Sequence, residues 1–280
     1  MTRCGVCPRA CDIVPGGSGF CGARGAVLHP CTGEETVVSL NYGKLTSIAL
    51  DPVEKKPLNR FYPGKKILSV GSFGCNLVCP WCQNHTIARA VASDVGTQNL
   101  MPEGLADLAE EYLPAGNIGV AFTYNEPLIS YEFVRDTSRI LKQRGLVSVL
   151  VTNGYAEPSV FESLLPLTDA MNIDLKSIKD DFYRRIGGGL ETVMQNIRAA
   201  ARSCHVELTC LLIEGENDAE EEMEEMSEFI VSVSTEIPLH ITRCFPAYRM
   251  KTTKPTPIES MEKFRDIAKS RLKYVYLGNV

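Results

Sequence analysis

Short apolar, β-branched runs recur along the chain from residue 66 onward, separated by segments with a helical pattern. The runs lie at 67–73, 118–124, 147–153, 170–176, 206–213, 238–244 and 273–278. The clearest helical periods between them cover 102–112 and 130–142. Strands that alternate with helices are typical of βαβ units and a parallel sheet. We therefore predict an α/β fold, a partial (β/α)6 TIM-like barrel, since about six units fall short of the eight in a closed barrel.

The first 65 residues follow a different pattern. They are rich in Cys, Gly and Pro and show no long helical period. Two extended pieces, 35–40 and 45–50, joined through 41–43, predict a short hairpin. Such a segment buries little apolar core, so a bound metal is expected to stabilise it. We predict a Cys-rich metal-binding module with a short hairpin over 1–65, followed by the partial barrel over 66–280.

Polar side chains repeatedly occur where the apolar runs end. In α/β barrels this rim carries the active site, so the convergence of polar residues at one rim predicts an enzyme. The candidates from this pattern are Asn125, Glu126, Asn153, Asp174, Lys176, His240 and Arg243, and Tyr124 joins them from the same segment as Asn125.

Composition excludes several classes of partner. The chain has 280 residues, 44% hydrophobic and 22% charged, with a net charge of −5. This acidic balance gives no reason to expect nucleic acid or an anionic membrane as a partner. No run approaches the roughly 20 apolar residues that span a bilayer, and the first residues lack the apolar core of a secretory signal. Eleven cysteines without an export signal favour metal binding in a reducing compartment, so we expect a cytoplasmic protein.

Three cysteines stand in one loop directly after the run at 67–73. Cys75, Cys79 and Cys82 have the spacing C-x3-C-x2-C, with Trp81 just before the third. Iron–sulfur clusters are usually held by four thiolates, so three would leave one iron open to an external ligand such as S-adenosylmethionine. The alternative is a structural zinc site with His85 as fourth ligand, but a reactive loop at a strand end suits a barrel enzyme better.

A second set of cysteines lies near the N-terminus. Cys4, Cys7, Cys11 and Cys21 supply four thiolates, which is enough to complete a structural metal site. Zinc and a further iron–sulfur cluster are both compatible with four cysteines. The spacing does not match a ferredoxin C-x2-C-x2-C-x3-C run, which favours zinc slightly.

The motifs resemble those of the radical S-adenosylmethionine superfamily. The cysteine loop is similar to the superfamily's cluster loop, and 123–127 stands where the superfamily has a Gly-Gly-Glu-Pro-like segment. Over nearly its whole length the chain is similar to the radical enzyme of the AmmeMemoRadiSam system, a relative of the glycyl-radical (pyruvate formate-lyase) activating enzymes. The matching segments are Cys4-x2-Cys-Pro-Arg-x-Cys11, 51–58, Cys82-Gln-Asn84, 124–127, 172–176 and 274–280.

The resemblance implies a role for individual residues. Cys75, Cys79 and Cys82 would hold three irons of a [4Fe–4S] cluster, and the fourth iron would bind S-adenosylmethionine. Glu126 matches the position that binds the methionine amino group, Lys176 one that reaches its carboxylate, Asp174 one near the substrate or a monovalent cation, and His240 one near the ribose. Tyr124, Asn125, Asn153 and Arg243 would complete the cofactor contacts.

The implied reaction is reductive cleavage of S-adenosylmethionine to methionine and a 5′-deoxyadenosyl radical. The resemblance also implies an oxidoreductase-like enzyme with an external electron donor, a flavodoxin or a ferredoxin. Activation of a glycyl-radical protein and a zinc-stabilised scaffold without redox chemistry are the alternatives, so the substrate stays open between a small molecule and a protein. This chain has Val151 before Thr152-Asn-Gly154, where the activating enzymes carry an aspartate, and Tyr124-Asn125 in place of two glycines.

Overall fold

The computed structural model describes residues 1–29 and 31–280. Its strands, numbered in chain order, are β1 Thr2–Arg3, β2 Asp12–Ile13, β3 Arg24–Leu28, β4 Glu35–Ser39, β5 Lys44–Leu45, β6 Ser47–Pro52, β7 Lys66–Gly71, β8 Gln98–Asn99, β9 Asn117–Phe122, β10 Val147–Thr152, β11 Ala170–Asp174, β12 His205–Leu212, β13 Leu239–Arg243 and β14 Val275–Gly278. The helices are α1 His85–Ala88, α2 Pro102–Glu111, α3 Tyr131–Gln143, α4 Pro158–Leu164, α5 Asp180–Arg185, α6 Leu190–Ala201, α7 Glu220–Val233 and α8 Ile258–Lys269.

One eight-stranded sheet carries the fold, in the order β14-β13-β12-β11-β10-β9-β7-β6. Strand β7 and the strands from β9 to β14 pair in parallel, and helices lie in the connections between them. Strand β6 is antiparallel to β7, with Ser47 opposite Gly71. Because β6 and β14 form the two edges, the barrel is partial, and the predicted fold class is confirmed.

The N-terminal pairing differs from the sequence prediction. Strand β4 pairs with β3, Ser39 opposite Arg24, while β6 joins the main sheet, so the hairpin predicted between 35–40 and 45–50 is wrong. Asn41 in the expected turn is buried and donates from Nδ2 to the carbonyl of Phe73 across 2.9 Å. Its side chain therefore fixes the connection against the cysteine loop. The main sheet also begins at β6, before the predicted boundary at residue 65.

The core lies between the sheet and its helices. Leu68, Val120, Leu150 and Leu208, on four strands of the main sheet, are at most 1% exposed. Helix α3 buries Phe133, Val134, Thr137, Ser138 and Leu141, one face of a helical period. Burying a side chain such as Leu stabilises a fold by about 1.5–3 kcal/mol. This packing gives the rim above the strands a rigid base.

Among the residues that the structure describes, no helix combines the length and the apolar character needed to traverse a bilayer.

Candidate active site

The loop with Cys75, Cys79 and Cys82 starts where β7 ends, and the segment after β9 holds it in place. Asn125 accepts a hydrogen bond from the Ser72 amide at Oδ1 (2.8 Å) and donates from Nδ2 to the carbonyls of Phe73 (3.3 Å) and Gly74 (3.2 Å). Phe73 is fully buried. These contacts fix the path of the backbone immediately before Cys75.

The three thiols border one cavity of about 270 Å³ at the carboxyl ends of the strands. No three His, Cys, Asp or Glu side chains among the described residues converge as the ligands of one metal ion. A cluster does not require such convergence, because each cysteine binds a different iron. The sequence-predicted residues that line the same cavity are Tyr124, Asn125, Glu126, Asn153, Asp174 and Lys176.

Glu126 is a buried carboxylate facing this cavity. It is 3% exposed, and Oε1 accepts from the Thr152 hydroxyl (2.6 Å) and the Leu128 amide (3.0 Å), while Oε2 accepts from the Asn153 amide (2.8 Å). Burial raises the pKa of Glu126 to about 7, although these hydrogen bonds oppose the shift. A buried carboxylate with a raised pKa would be stabilised in its charged form by a nearby cation. An ammonium group bound in the cavity could supply that charge.

Asn153 connects the end of β10 to the cysteine loop. Its Nδ2 donates to Oδ1 of Asn76 across 2.9 Å and lies 3.8 Å from the sulfur of Cys75. The Asn76 amide in turn donates to the carbonyl of Tyr155 across 2.6 Å. Asn76 was not singled out from the sequence, and its position inside the cysteine motif is the signal that could have found it.

Asp174 is the last residue of β11 and Lys176 follows it, two strands along the sheet from β9, which Glu126 follows. The Lys176 ammonium donates to Oδ2 of Asp174 across 2.7 Å. Burial alone would lower the pKa of Lys176, but the charge and hydrogen bond of Asp174, together with the charges of Cys79 and Tyr183, outweigh it and the net shift is upward. Burial raises the pKa of the Cys79 thiol, and the Lys176 ammonium opposes that rise. Lys176 is therefore a cation that favours thiolates in the loop.

The Tyr124 side chain contacts an ion pair between Asp51 and Lys56, neither of which the sequence analysis named as a site residue. Its hydroxyl donates to Oδ2 of Asp51 across 2.8 Å, and the buried Lys56 ammonium donates to the same oxygen across 2.8 Å. The Tyr124 backbone has a φ of 69°, a left-handed conformation that is uncommon for a residue other than glycine. The segment at 51–58, noted for its resemblance, thus borders the site from β6.

His240 and Arg243 are not brought to the cavity. His240 Nε2 lies 2.6 Å from Oε2 of Glu207, which is fully buried. His240 is the second residue of β13, whereas Thr242, two residues further on the same face, lines the cavity. The histidine therefore lies one layer deeper in the barrel. Arg243 donates from Nε to the carbonyl of Thr256 across 2.7 Å.

Four threonines line the cavity, none of them predicted from the sequence as a site residue, and two of them lie on β12 and β13. Thr209 on β12 and Thr242 on β13 line the cavity with small hydroxyl side chains. Each stands inside an apolar run, where a threonine is an ordinary strand residue, so no sequence signal distinguished them.

Comparison with known proteins identifies this arrangement. Residues 69–230, from β7 into α7, match the radical SAM superfamily. The chain belongs to the radical SAM superfamily. The resemblance predicted from the motifs is confirmed, and membership of the family implies a [4Fe–4S] cluster and S-adenosylmethionine as cofactors.

Two relatives illustrate its place in the radical SAM superfamily. Uncharacterized protein MJ0808 of Methanocaldococcus jannaschii is 38% identical over 282 residues, covering 99% of this chain and 81% of its own. Pyruvate formate-lyase 1-activating enzyme of Escherichia coli strain K12 is 25% identical over 210 residues, covering 69% of this chain and 85% of its own. The chain is therefore related to the glycyl-radical activating enzymes.

Solved structures support the fold. Streptococcus suis SuiB bound to its precursor peptide SuiA aligns with a TM-score of 0.59 at 12% identity, over 81% of this chain and 51% of that chain. Methylornithine synthase (PylB) aligns with a TM-score of 0.51 at 13% identity, over 78% of this chain and 73% of that chain. At these identities the likeness concerns the partial barrel alone.

The residues around the cavity fit the family's cofactors. Three thiols lie beside a cation, Lys176, and an amide donor, Asn153, both of which suit a thiolate-bound cluster. A buried carboxylate and an ammonium group at the same cavity match the two charges of an amino acid. The N-terminal cysteines are a separate group, and a metal there stays a prediction.

Proposed function

We propose that this chain cleaves S-adenosylmethionine reductively and uses the resulting 5′-deoxyadenosyl radical to remove a hydrogen atom from a substrate. One electron from an external donor of the flavodoxin or ferredoxin class breaks the bond between sulfur and C5′. Methionine and the radical result, and transfer of a substrate hydrogen gives 5′-deoxyadenosine and a substrate radical. The proposal rests on one observation: the three thiols, Glu126 and Lys176 all line the same cavity.

Cys75, Cys79 and Cys82 would hold the cluster. When bound, a [4Fe–4S] cluster with three protein ligands supplies the electron and an open coordination position for the amino acid part of S-adenosylmethionine. The protein contributes in two ways. Asn125 fixes the backbone of the loop that carries the three thiols, and Asn153 places an N–H donor beside the sulfur of Cys75.

Glu126 and Lys176 would orient the amino acid part of the cofactor. Glu126 already accepts three hydrogen bonds, which fix its carboxylate, and the donors are a hydroxyl and two backbone amides, none of them cationic. A cofactor ammonium would provide a cationic partner. Lys176 has one N–H occupied by Asp174 and can donate its others to a carboxylate. The two ends of an amino acid would thus be distinguished by charge.

Apolar side chains on the same cavity would limit access of water to the radical. Leu77 and Trp81 come from the cysteine loop, Val151 from β10 and Leu211 from β12. Trp81 is 5% exposed and packs against Phe182 with ring centroids 5.3 Å apart. A rigid apolar wall of this kind protects a reactive intermediate from side reactions.

The test is a turnover assay under anaerobic conditions. Protein reconstituted with iron and sulfide is reduced with dithionite, mixed with S-adenosylmethionine and assayed for 5′-deoxyadenosine and methionine. We expect both products in equal amounts, loss of both in Cys79→Ala, and full yield in Cys204→Ala, which alters a cysteine outside the cavity. A protein with a complete cluster that releases no 5′-deoxyadenosine would contradict the proposal.

Deuterium labelling can distinguish a small-molecule substrate from a protein substrate. Activation of a glycyl-radical protein is supported by the similarity to the Escherichia coli activating enzyme, whereas Val151 places an apolar side chain on the cavity where the resemblance implies an aspartate. We propose a small-molecule substrate.

The test uses a lysate of the native organism, grown with deuterated nutrients and divided by filtration into small molecules and proteins. Deuterium in 5′-deoxyadenosine from the small-molecule fraction supports the proposal; deuterium from the protein fraction alone identifies an activating enzyme.

A further inference from the structure

The four N-terminal cysteines line the same small cavity although they are spread over 18 positions of the chain. Cys4, Cys7, Cys11 and Cys21 all border one small enclosed cavity, and each is a free thiol. Cys4 and Cys7 are at most 8% exposed, and the Cys4 amide donates to the carbonyl of Cys11 across 2.8 Å. Their grouping is thus built into the turns between β1 and β3.

Two arginines border the same cavity and each has a buried donor without a partner. Among the described residues, Nε of Arg9 and Nε of Arg24 have no hydrogen-bond acceptor. Each guanidinium is anchored through another nitrogen: Arg9 Nη2 donates to the carbonyl of Gly187 (2.6 Å), and Arg24 Nη1 donates to Oε2 of Glu132 (2.7 Å). A buried unpaired donor costs about 1–3 kcal/mol, so the two N–H groups indicate an acceptor-bearing, anionic occupant.

We propose that Cys4, Cys7, Cys11 and Cys21 hold a second [4Fe–4S] cluster, with Arg9 and Arg24 donating hydrogen bonds to its sulfur atoms. Four thiolates would complete the coordination of all irons, so this cluster would have no open position for a cofactor. A zinc ion with four thiolates carries no acceptor atoms besides the cysteine sulfurs, whereas a cluster adds inorganic sulfides that can accept from two arginines.

The second site adjoins the first. Asn76, the residue after Cys75, borders the N-terminal cavity, and its carbonyl accepts from Arg9 Nη2 across 3.3 Å. Gly74 packs so closely on the backbone of Cys21 that a Cβ there would come within 2.5 Å of its carbonyl oxygen. An iron–sulfur cluster is a one-electron carrier, so the proposed group would lie where it can exchange electrons with the cluster of the proposed function, on which this role depends.

Metal and sulfide analysis tests the site independently of turnover. Reconstituted wild type should contain about eight irons and eight acid-labile sulfides per chain, two clusters of four. The triple variant Cys75→Ala/Cys79→Ala/Cys82→Ala should keep about half, and so should Cys4→Ala/Cys7→Ala. The matched control Cys204→Ala should keep the full amount. About four irons with one zinc per chain in wild type, or an iron-free but folded triple variant, would overturn the proposal.

The two proposals fail separately. If the triple variant keeps its iron but wild type releases no 5′-deoxyadenosine, the second cluster stands and the proposed turnover fails. If wild type releases 5′-deoxyadenosine with only about four irons per chain, the proposed turnover stands and the second cluster fails. Should Cys4→Ala/Cys7→Ala fail to fold, the triple variant still decides the question.

Electron paramagnetic resonance tests the position and the arginines. Reduced wild type should show spectra broadened by coupling between two neighbouring paramagnetic clusters, and each cysteine variant should show one uncoupled signal. Arg9→Lys keeps the charge but removes Nε–H, and we expect the reduction potential of the cluster in the triple-variant background to become more negative. Unbroadened wild-type spectra, or an unchanged potential in Arg9→Lys, would contradict the assignment.

Discussion

Lys176 Nζ lies 2.7 Å from Oδ2 of Asp174, and both side chains border the cavity of Cys79 and Cys82. The two residues are two apart in sequence at the end of β11, so they share a face. The Lys176 side chain is 14% exposed and the Asp174 side chain 34% exposed. The pair therefore presents an oriented ammonium group to the site.

Replacing Lys176 should weaken cofactor binding. Lys176→Met keeps a side chain of similar length but removes the N–H donors, and loss of a charge-assisted hydrogen bond of about 2 kcal/mol corresponds to a roughly 30-fold rise in Kd for S-adenosylmethionine. Isothermal titration calorimetry of the reconstituted protein with S-adenosylmethionine measures this Kd. Lys179→Met is the control, because Lys179 pairs with Glu225 on the surface at 2.8 Å. Equal affinity in both variants would show that Lys176 does not contact the cofactor.

Asn125 should matter more for keeping the cluster than for binding the cofactor. Asn125→Ala removes one acceptor and two donors to the loop backbone before Cys75, so we expect iron release to a chelator to become at least about tenfold faster. Absorbance of the chelated iron follows the rate. Asn84→Ala, which removes one exposed hydrogen bond to the Tyr124 carbonyl, should change it little. If Asn125→Ala retained iron normally but lost affinity for S-adenosylmethionine, Asn125 would serve cofactor binding and not cluster retention.

The sequence was sufficient where a pattern is local. The apolar runs that we predicted became the parallel strands β7 and β9 to β14, because strands buried on both faces form near-continuous apolar runs that the sequence shows directly. Glu126 and Lys176 were found because they follow such runs directly. Where a role depends on depth along the strand or on a distant partner, the sequence was not sufficient.

His240 illustrates this limit. The run at 238–244 does not reveal that the histidine is the second residue of β13, or that its partner is Glu207, 33 positions away. Glu207 itself stands inside an apolar run and gave no signal of its own. The same applies to 35–40 and 45–50, each of which pairs with a strand other than the nearest extended piece.

Glu207 should contribute pH-dependent stability. Burial alone would raise its pKa, but hydrogen bonds from His205 and His240 and from the Arg60 amide lower it to about 2. Against an unfolded pKa of about 4.3, the carboxylate stabilises the fold by about 3 kcal/mol above pH 4.3, and this contribution decreases as the pH falls towards 2.

Urea unfolding of cluster-free protein between pH 7 and pH 3 measures this contribution. Glu207→Gln should be less stable than wild type by about 3 kcal/mol at pH 7, with the difference narrowing below pH 4.3. Glu214→Gln, an exposed neighbour on the same stretch of chain, should match wild type throughout. A difference that stays constant with pH would mean that the charge of Glu207 is not responsible.

Gly74 should be intolerant of any side chain, because two segments of the chain meet at this position. Its φ is 91°, and a Cβ would lie 2.5 Å from the Cys21 carbonyl oxygen and 2.9 Å from Ala23 Cβ. Gly116 has a φ of 90° but nothing within 4 Å of its Cβ position. The pair therefore separates backbone strain from steric overlap.

Both Gly74→Ala and Gly116→Ala should lose about 1–2 kcal/mol from the left-handed backbone conformation. Gly74→Ala should lose at least a further 1–3 kcal/mol because the backbone of Cys21 has to move. Urea unfolding gives the two free energies, and iron content shows whether the displacement reaches Cys75, the next residue. Equal losses in the two variants would mean that the N-terminal segment yields freely, and that its contact with the cysteine loop does not hold either part in place.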